Sequence, residues 1–78
     1  MSNEEKMATI DLLEDCDDIT FGDMEDLKER TVTMSKNFIN DCGERKWRYT
    51  LRDEEDKELC TFINNTDTDD ITVEYLNL

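Results

Sequence analysis

Asn65, Asp67 and Asp69 offer side-chain oxygens at alternate positions of a polar stretch, the spacing with which an EF-hand loop begins to coordinate calcium. The remainder of that pattern is missing. Asp70 stands where the tight-turn glycine belongs, and Leu76 where the bidentate glutamate belongs. The stretch therefore reads as an acidic loop that attracts cations loosely, and no metal or other cofactor is expected. Zinc is served no better. Cys16, Cys42 and Cys60 are far apart, and the chain has no histidine to complete a ligand set. The thiols read as small buried hydrophobes. The missing histidine also deprives a cysteine or serine nucleophile of its usual base. Carboxylates are so numerous that no pair stands out as a glycosidase-type centre, and no glycine-rich phosphate loop is present. The expected protein is not an enzyme.

The abundance of acids is itself informative. Twenty-two acidic residues against nine basic ones give a net charge of −13. Free nucleic acid and anionic membranes carry the same sign and are poor ligands. A basic protein partner is favoured, because opposite fields steer encounter. The charge is also blocked along the chain. Residues 1–26 hold ten acids and one base (−9), residues 27–52 three acids and seven bases (+4), and residues 53–78 nine acids and one base (−8). The opening "MSNEEKMATIDLL" lacks a signal peptide's basic and apolar regions, and no run approaches the about 20 apolar residues of a membrane span. With three unpaired-looking cysteines, the expected location is the cytoplasm, a host's cytoplasm if the protein is phage-encoded.

A single small acidic domain over residues 1–78 must position these acids. Its apolar fraction of 36% includes Trp47, Tyr49, Tyr75, Phe21, Phe38 and Phe62, enough for one small core. The absence of proline and the presence of only two glycines argue against a linker. Ser2 can cap a first helix with Glu4 and Glu5 in its first turn and Met7, Ile10 and Leu13 as its stripe. A strand over residues 8–13, with Ile10 and Leu12 on one face, is the competing reading. The second helix starts at an Asp23 cap, runs through Leu27, Thr31, Met34 and Phe38, with Val32 and Ile39 widening the stripe, and stops at Gly43.

After Gly43 the period becomes two. Trp47, Tyr49 and Leu51 alternate with Lys46, Arg48 and Arg52 as a half-buried strand. The aromatics of "RKWRYTLR" then face the core, and its cations face solvent, where Asp53–Asp56 or Glu58 can pair with them. "RDEED" makes a turn, residues 59–63 a second strand, "NNTDTDD" a loop, and Ile71, Val73 and Tyr75 a third strand. The fold class is α+β: two N-terminal helices packed on a three-stranded antiparallel β-meander. The tetrapeptide "DDIT" occurs at residues 17–20 and 69–72, but the residues after the two copies differ, so it is a coincidence of composition.

A domain of this length has a radius of gyration of about 11–12 Å and a diameter of roughly 30 Å. Duplex DNA of that length carries about 18 phosphates, and half of the 22 carboxylates on one face would match the share that a protein meets from one side. Asp11, Glu14, Asp15 and Asp18 would line an extended first helix, with Asp17 beside them; Asp23, Asp26 and Glu29 would continue the row, and Glu25 adds a further acid. Asp67, Asp69 and Asp70 form a second cluster. In size and charge the chain resembles the small acidic inhibitors that phages use against restriction enzymes, CRISPR nucleases, glycosylases and polymerases. The resemblance is one of class, and no family's residues carry over. It implies a DNA-mimic-type inhibitor that blocks the nucleic-acid-binding groove of a basic protein. The alternative is a small regulatory adaptor docking through "ITVEYLNL", whose Tyr75, Leu76 and Leu78 put apolar bulk on an edge strand that also admits a homodimer.

Overall fold

The alternation around Trp47 does become a strand, but it is the second of four. A computed structural model of the chain describes residues 3–78 (at Asp41, the backbone alone). In order it runs α1 (Asn3–Asp11), a 3-10 turn (Leu12–Asp15), α2 (Phe21–Arg30), β1 (Thr33–Asp41), β2 (Glu44–Arg52), β3 (Glu58–Asn65) and β4 (Asp70–Leu76). The strands lie in the order β1-β2-β3-β4, each antiparallel to its sequence neighbour. The α+β class and the antiparallel meander stand. The number of strands and the length of the second helix do not.

The difference lies between Arg30 and Gly43. The stripe Leu27, Thr31, Met34, Phe38 has helical spacing, yet Met34, Lys36 and Phe38 also alternate, and the alternation wins. Thr31, Val32 and Thr33 are three β-branched residues in a row, which crowd a helix and suit a pleated surface. Cys42 and Gly43 then take left-handed backbone angles (φ 53° and 85°). Positive φ at both positions of a two-residue connection is the type I′ turn, whose twist matches that of the flanking strands. Gly43 thus closes a hairpin instead of ending a helix. Across that hairpin Met34 lies opposite Leu51, Lys36 opposite Tyr49, and Phe38 opposite Trp47. The Phe38 and Trp47 rings meet edge to face at 5.0 Å.

Local chemistry explains the helices as well. The expected Ser2 cap lies outside the described residues. α1 and the 3-10 turn replace the competing strand over residues 8–13. The cap of α2 is Thr20 rather than Asp23. The Thr20 hydroxyl accepts from the Asp23 amide at 3.1 Å, and the Asp23 carboxylate accepts from the Thr20 amide at 3.2 Å. This reciprocal pair satisfies two amides that the helix leaves open.

The core lies between the helices and one face of the sheet. Ile10, Leu13 and Leu27 from the helical layer, and Leu51, Leu59, Cys60 and Phe62 from the sheet, have 0% exposure. The Tyr49 and Phe62 rings stack at 5.2 Å between them. The total accessible surface of 5038 Å² is close to the about 5,000 Å² that size scaling gives for a folded monomer of this mass. Three aromatics expected inside are exposed instead: Phe21 at 75%, Phe38 at 50% and Tyr75 at 42%.

A Cβ added at position 43 meets no atom within 4 Å, so Gly43→Ala tests the backbone alone. Its stability in urea should fall by about 1 kcal/mol. Cys42→Asn, which tolerates the left-handed region and forms the favoured Asn-Gly turn, should raise the urea midpoint. An unchanged midpoint in both variants would contradict the turn.

Candidate partner-binding surface

The acidic segment after α1 owes its order to the residues between its acids. Ile10, Leu13, Cys16 and Ile19 recur at intervals of three and are all buried. A three-residue step is the period of a 3-10 turn, and residues 12–15 adopt one. The two intervals after Leu13 each leave two positions outside the core, and Glu14, Asp15, Asp17 and Asp18 occupy them, all exposed. The expected extended first helix is therefore absent: α1 ends at Asp11, and the acids that follow sit on a tight, pinned turn. Glu25 and Asp26 are exposed on α2, whose inward positions are Met24 and Leu27.

These six carboxylates, Glu14, Asp15, Asp17, Asp18, Glu25 and Asp26, take part in no ion pair among the described residues. Two of the other expected site acids, Asp11 and Asp23, are engaged. Asp11 Oδ1 lies 3.1 Å from Lys28 Nζ. Asp23 is half-buried and held by the Thr20 cap. Residues 3–30 contain eleven acids and three bases, so −8, whereas residues 31–78 contain eleven acids and six bases, so −5. Of the three bases, Lys28 is on Asp11 and Lys6 donates to the Thr31 carbonyl at 3.2 Å.

The second cluster has a different character. Asp67 accepts from the Arg45 amide at 2.8 Å and from the Arg45 guanidinium at 3.0 Å. These bonds, the amide's foremost, hold its carboxyl below the usual carboxylate range. The Asn65 side-chain oxygen accepts from the amides of Asp67 (3.0 Å) and Thr68 (3.3 Å). Asp70 accepts from the Thr68 hydroxyl at 3.0 Å, and Asp69 takes a left-handed φ of 61°. Of the side-chain oxygens that would begin a calcium loop, those of Asn65 and Asp67 are thus spent on building a turn. Among the described residues no group of three or more His, Cys, Asp or Glu is placed to hold a metal.

The sheet's other face carries the cations, as the alternation implied, although most pair elsewhere than expected. Arg52 approaches Asp56 at 3.8 Å. Arg48 reaches across β3 to Glu74 at 2.8 Å, and Lys46 lies 3.5 Å from Glu44. Glu58 lies opposite Arg52 in the register, and its carboxylate accepts from the Thr61 hydroxyl. The Arg48–Glu74 pair depends on a register shift between Thr61 and Phe62, which leaves Glu74 as the extra residue of a bulge in β4. Sequence spacing carries no signal for that bulge. Tyr75, Leu76 and Leu78 are exposed beside it.

Cys16 and Cys60 are buried, but Cys42 is exposed at the hairpin tip, contrary to the reading of all three as buried. Burial first, then the neighbouring Cys16, Glu58 and Asp23, pushes the Cys60 thiol up to about 12. An aromatic disulfide reagent near pH 8 should therefore modify Cys42 rapidly and reach Cys60 and Cys16 only on denaturation. For Asp67, a depressed folded pKa means stability present above the ordinary carboxylate value and lost as pH falls through the folded one. Asp67→Asn should be less stable than the wild type at neutral pH, with the gap closing as pH drops below about 4. A gap independent of pH would assign the loss to geometry rather than charge.

Comparison with protein-family models, with curated proteins and with solved structures finds no match for this chain.

Proposed function

We propose that the protein is a DNA-mimic-type inhibitor: its helical layer enters the nucleic-acid-binding groove of a basic protein, such as a nuclease, a restriction or CRISPR effector, a glycosylase or a polymerase, and blocks it. One observation carries the reading. Glu14, Asp15, Asp17, Asp18, Glu25 and Asp26 are exposed, anchored by buried neighbours, and left without a cation among the described residues. A carboxylate already matched by the protein's own lysine or arginine has little to offer a groove, and an unanchored one loses entropy on docking. These six have neither handicap. The longest dimension of the molecule, 35 Å, corresponds to a stretch of duplex bearing about 20 phosphates. Asp11, Asp23, Asp67, Asp69 and Asp70 contribute to the field at longer range.

Docking through β4 is the second reading, favoured by the exposure of Tyr75, Leu76 and Leu78. Ionic strength separates the two. A charge-led complex releases counterions and weakens steeply with salt, whereas an edge-docked one depends on backbone hydrogen bonds and apolar contact.

The test uses the wild-type chain and a variant with all six acids changed to Asn or Gln as baits in a nuclease-treated lysate. The wild type should retain nucleic-acid-binding proteins that heparin displaces and that elute as salt rises from about 50 to about 200 mM. The variant should retain none of them while melting at an equal or higher temperature, since self-repulsion falls. Equal recovery by both baits would sink the proposal. Loss on Tyr75→Lys, with little response to salt, would support the second reading instead.

A further inference from the structure

The sheet has two edges, and they are defended unequally. β4 is broken by the bulge at Glu74 and carries Asp70 and Glu74, the devices that keep an edge from pairing. β1 pairs with β2 in register over all nine of its residues, without a bulge or a proline. It carries Asp41 at its last position, and within the strand its charge is Lys36. That charge does not guard the edge, because the Lys36 ammonium is folded back over the Trp47 ring, 4.4 Å from its centroid. Val32, just before this strand, and Phe38, within it, are 52% and 50% exposed.

The direction of the free backbone groups follows from the hairpin. In a two-residue connection the flanking residues, here Asp41 and Glu44, form a hydrogen-bonded pair. The odd-numbered residues of β1 therefore aim their amides and carbonyls at β2. Met34, Lys36, Phe38 and Asn40 aim theirs outward, into open space.

We propose that β1 is a pairing edge whose occupant is the β1 strand of a second copy of this chain, antiparallel about a two-fold axis at Asn37. Three observations select this partner and register. First, the register is self-complementary: Lys36 falls opposite Phe38, Met34 opposite Asn40, Ser35 opposite Ile39 and Thr33 opposite Asp41, so no like charges meet. Moving the axis one residue, to Lys36, sets two ammonium groups face to face. Second, the outward groups suffice. Four hydrogen-bonded pairs exchanging two bonds each make about eight interstrand bonds, against about ten in a typical interface. Third, the charges tolerate the approach. The 3-10 turn that bears Glu14 and Asp15 packs beside β4, at the far edge of the sheet. The most acidic segments of the two copies thus end up at opposite ends of a continuous eight-stranded sheet. The arrangement is isologous and closes on itself. On the helical side of β1, a groove of about 420 Å³ lined by Glu5, Ala8, Thr9, Met34, Lys36 and Tyr49 lies open beside the position taken by Phe38 of the second copy, so one acid of α1 stands near the seam.

The test is independent of any target. Sedimentation equilibrium of the full chain should show a reversible monomer–dimer equilibrium. Phe38→Lys sets a new ammonium group opposite that of Lys36, twice per dimer, and should raise the dissociation constant by about tenfold. Adding Lys36→Glu to that variant turns both contacts into opposite-charge pairs and should restore association. In the unmodified chain, amide exchange at Met34, Lys36, Phe38 and Asn40 should slow as concentration rises. This measurement decides the matter even if a variant folds poorly. A monomer at every concentration, an F38K dimer as tight as the wild type, or open-ended assemblies would each overturn the proposal.

Discussion

Burial of one sheet face beneath two short helices is the constraint on which everything else here depends. A chain of 78 residues with 36% apolar content has few side chains to spare for a core. Domains this small bury only about 60–65% of their unfolded surface, so each fully buried residue matters. Ile10, Leu13, Cys16, Ile19, Met24 and Leu27 supply the helical side of that contact, and β2 and β3 supply the other. Once these positions are committed, the acids have only the remaining positions to occupy. The constellation of exposed carboxylates is therefore a by-product of core geometry in its placement, whatever use is made of it. It explains why paired acids alternate with single apolar residues from Leu13 to Ile19, and why the first "DDIT" belongs to that rhythm while the second belongs to a β-turn.

Much of this is legible without coordinates. β2 and β4 follow from alternation, β3 from its apolar run, and the turn at residues 53–57 and the loop at 66–69 from turn residues. Residues 31–41 mislead because Met34 and Phe38 satisfy a period of four and a period of two alike. The deciding signals are local and weaker: three successive β-branched residues, and a Cys-Gly pair that only a hairpin brings into the left-handed region. The site is legible in part. Exposure of Glu14, Asp15, Asp17, Asp18, Glu25 and Asp26 follows from the spacing of their apolar neighbours. The engagement of Asp67 by Arg45, 22 residues away, and of Asp11 by Lys28 does not, since such pairs are set by tertiary proximity. The exposure of Phe21 has no counterpart in local pattern at all.

The ion pairs of the sheet add little to stability. Arg48–Glu74, Arg45–Asp67 and Lys46–Glu44 are all partly solvated, and such pairs contribute roughly 0–1 kcal/mol each. Their larger effect is on where the field points. By matching sheet acids with sheet cations, they leave those cations unable to neutralise the helical layer. Lys36, parked over Trp47, is likewise withheld. The net charge of the molecule is consequently expressed on one side more than the other.

The strand order β1-β2-β3-β4 has a kinetic meaning. Every pairing in the sheet joins segments adjacent in the chain, through connections of only a few residues. Each hairpin can zip without first closing a long loop, so little configurational entropy is surrendered before contacts repay it. A heavily charged polypeptide resists indiscriminate collapse, and this topology asks for none. Such a topology favours neighbour-to-neighbour growth, which shortens the interval during which apolar strands lie uncovered.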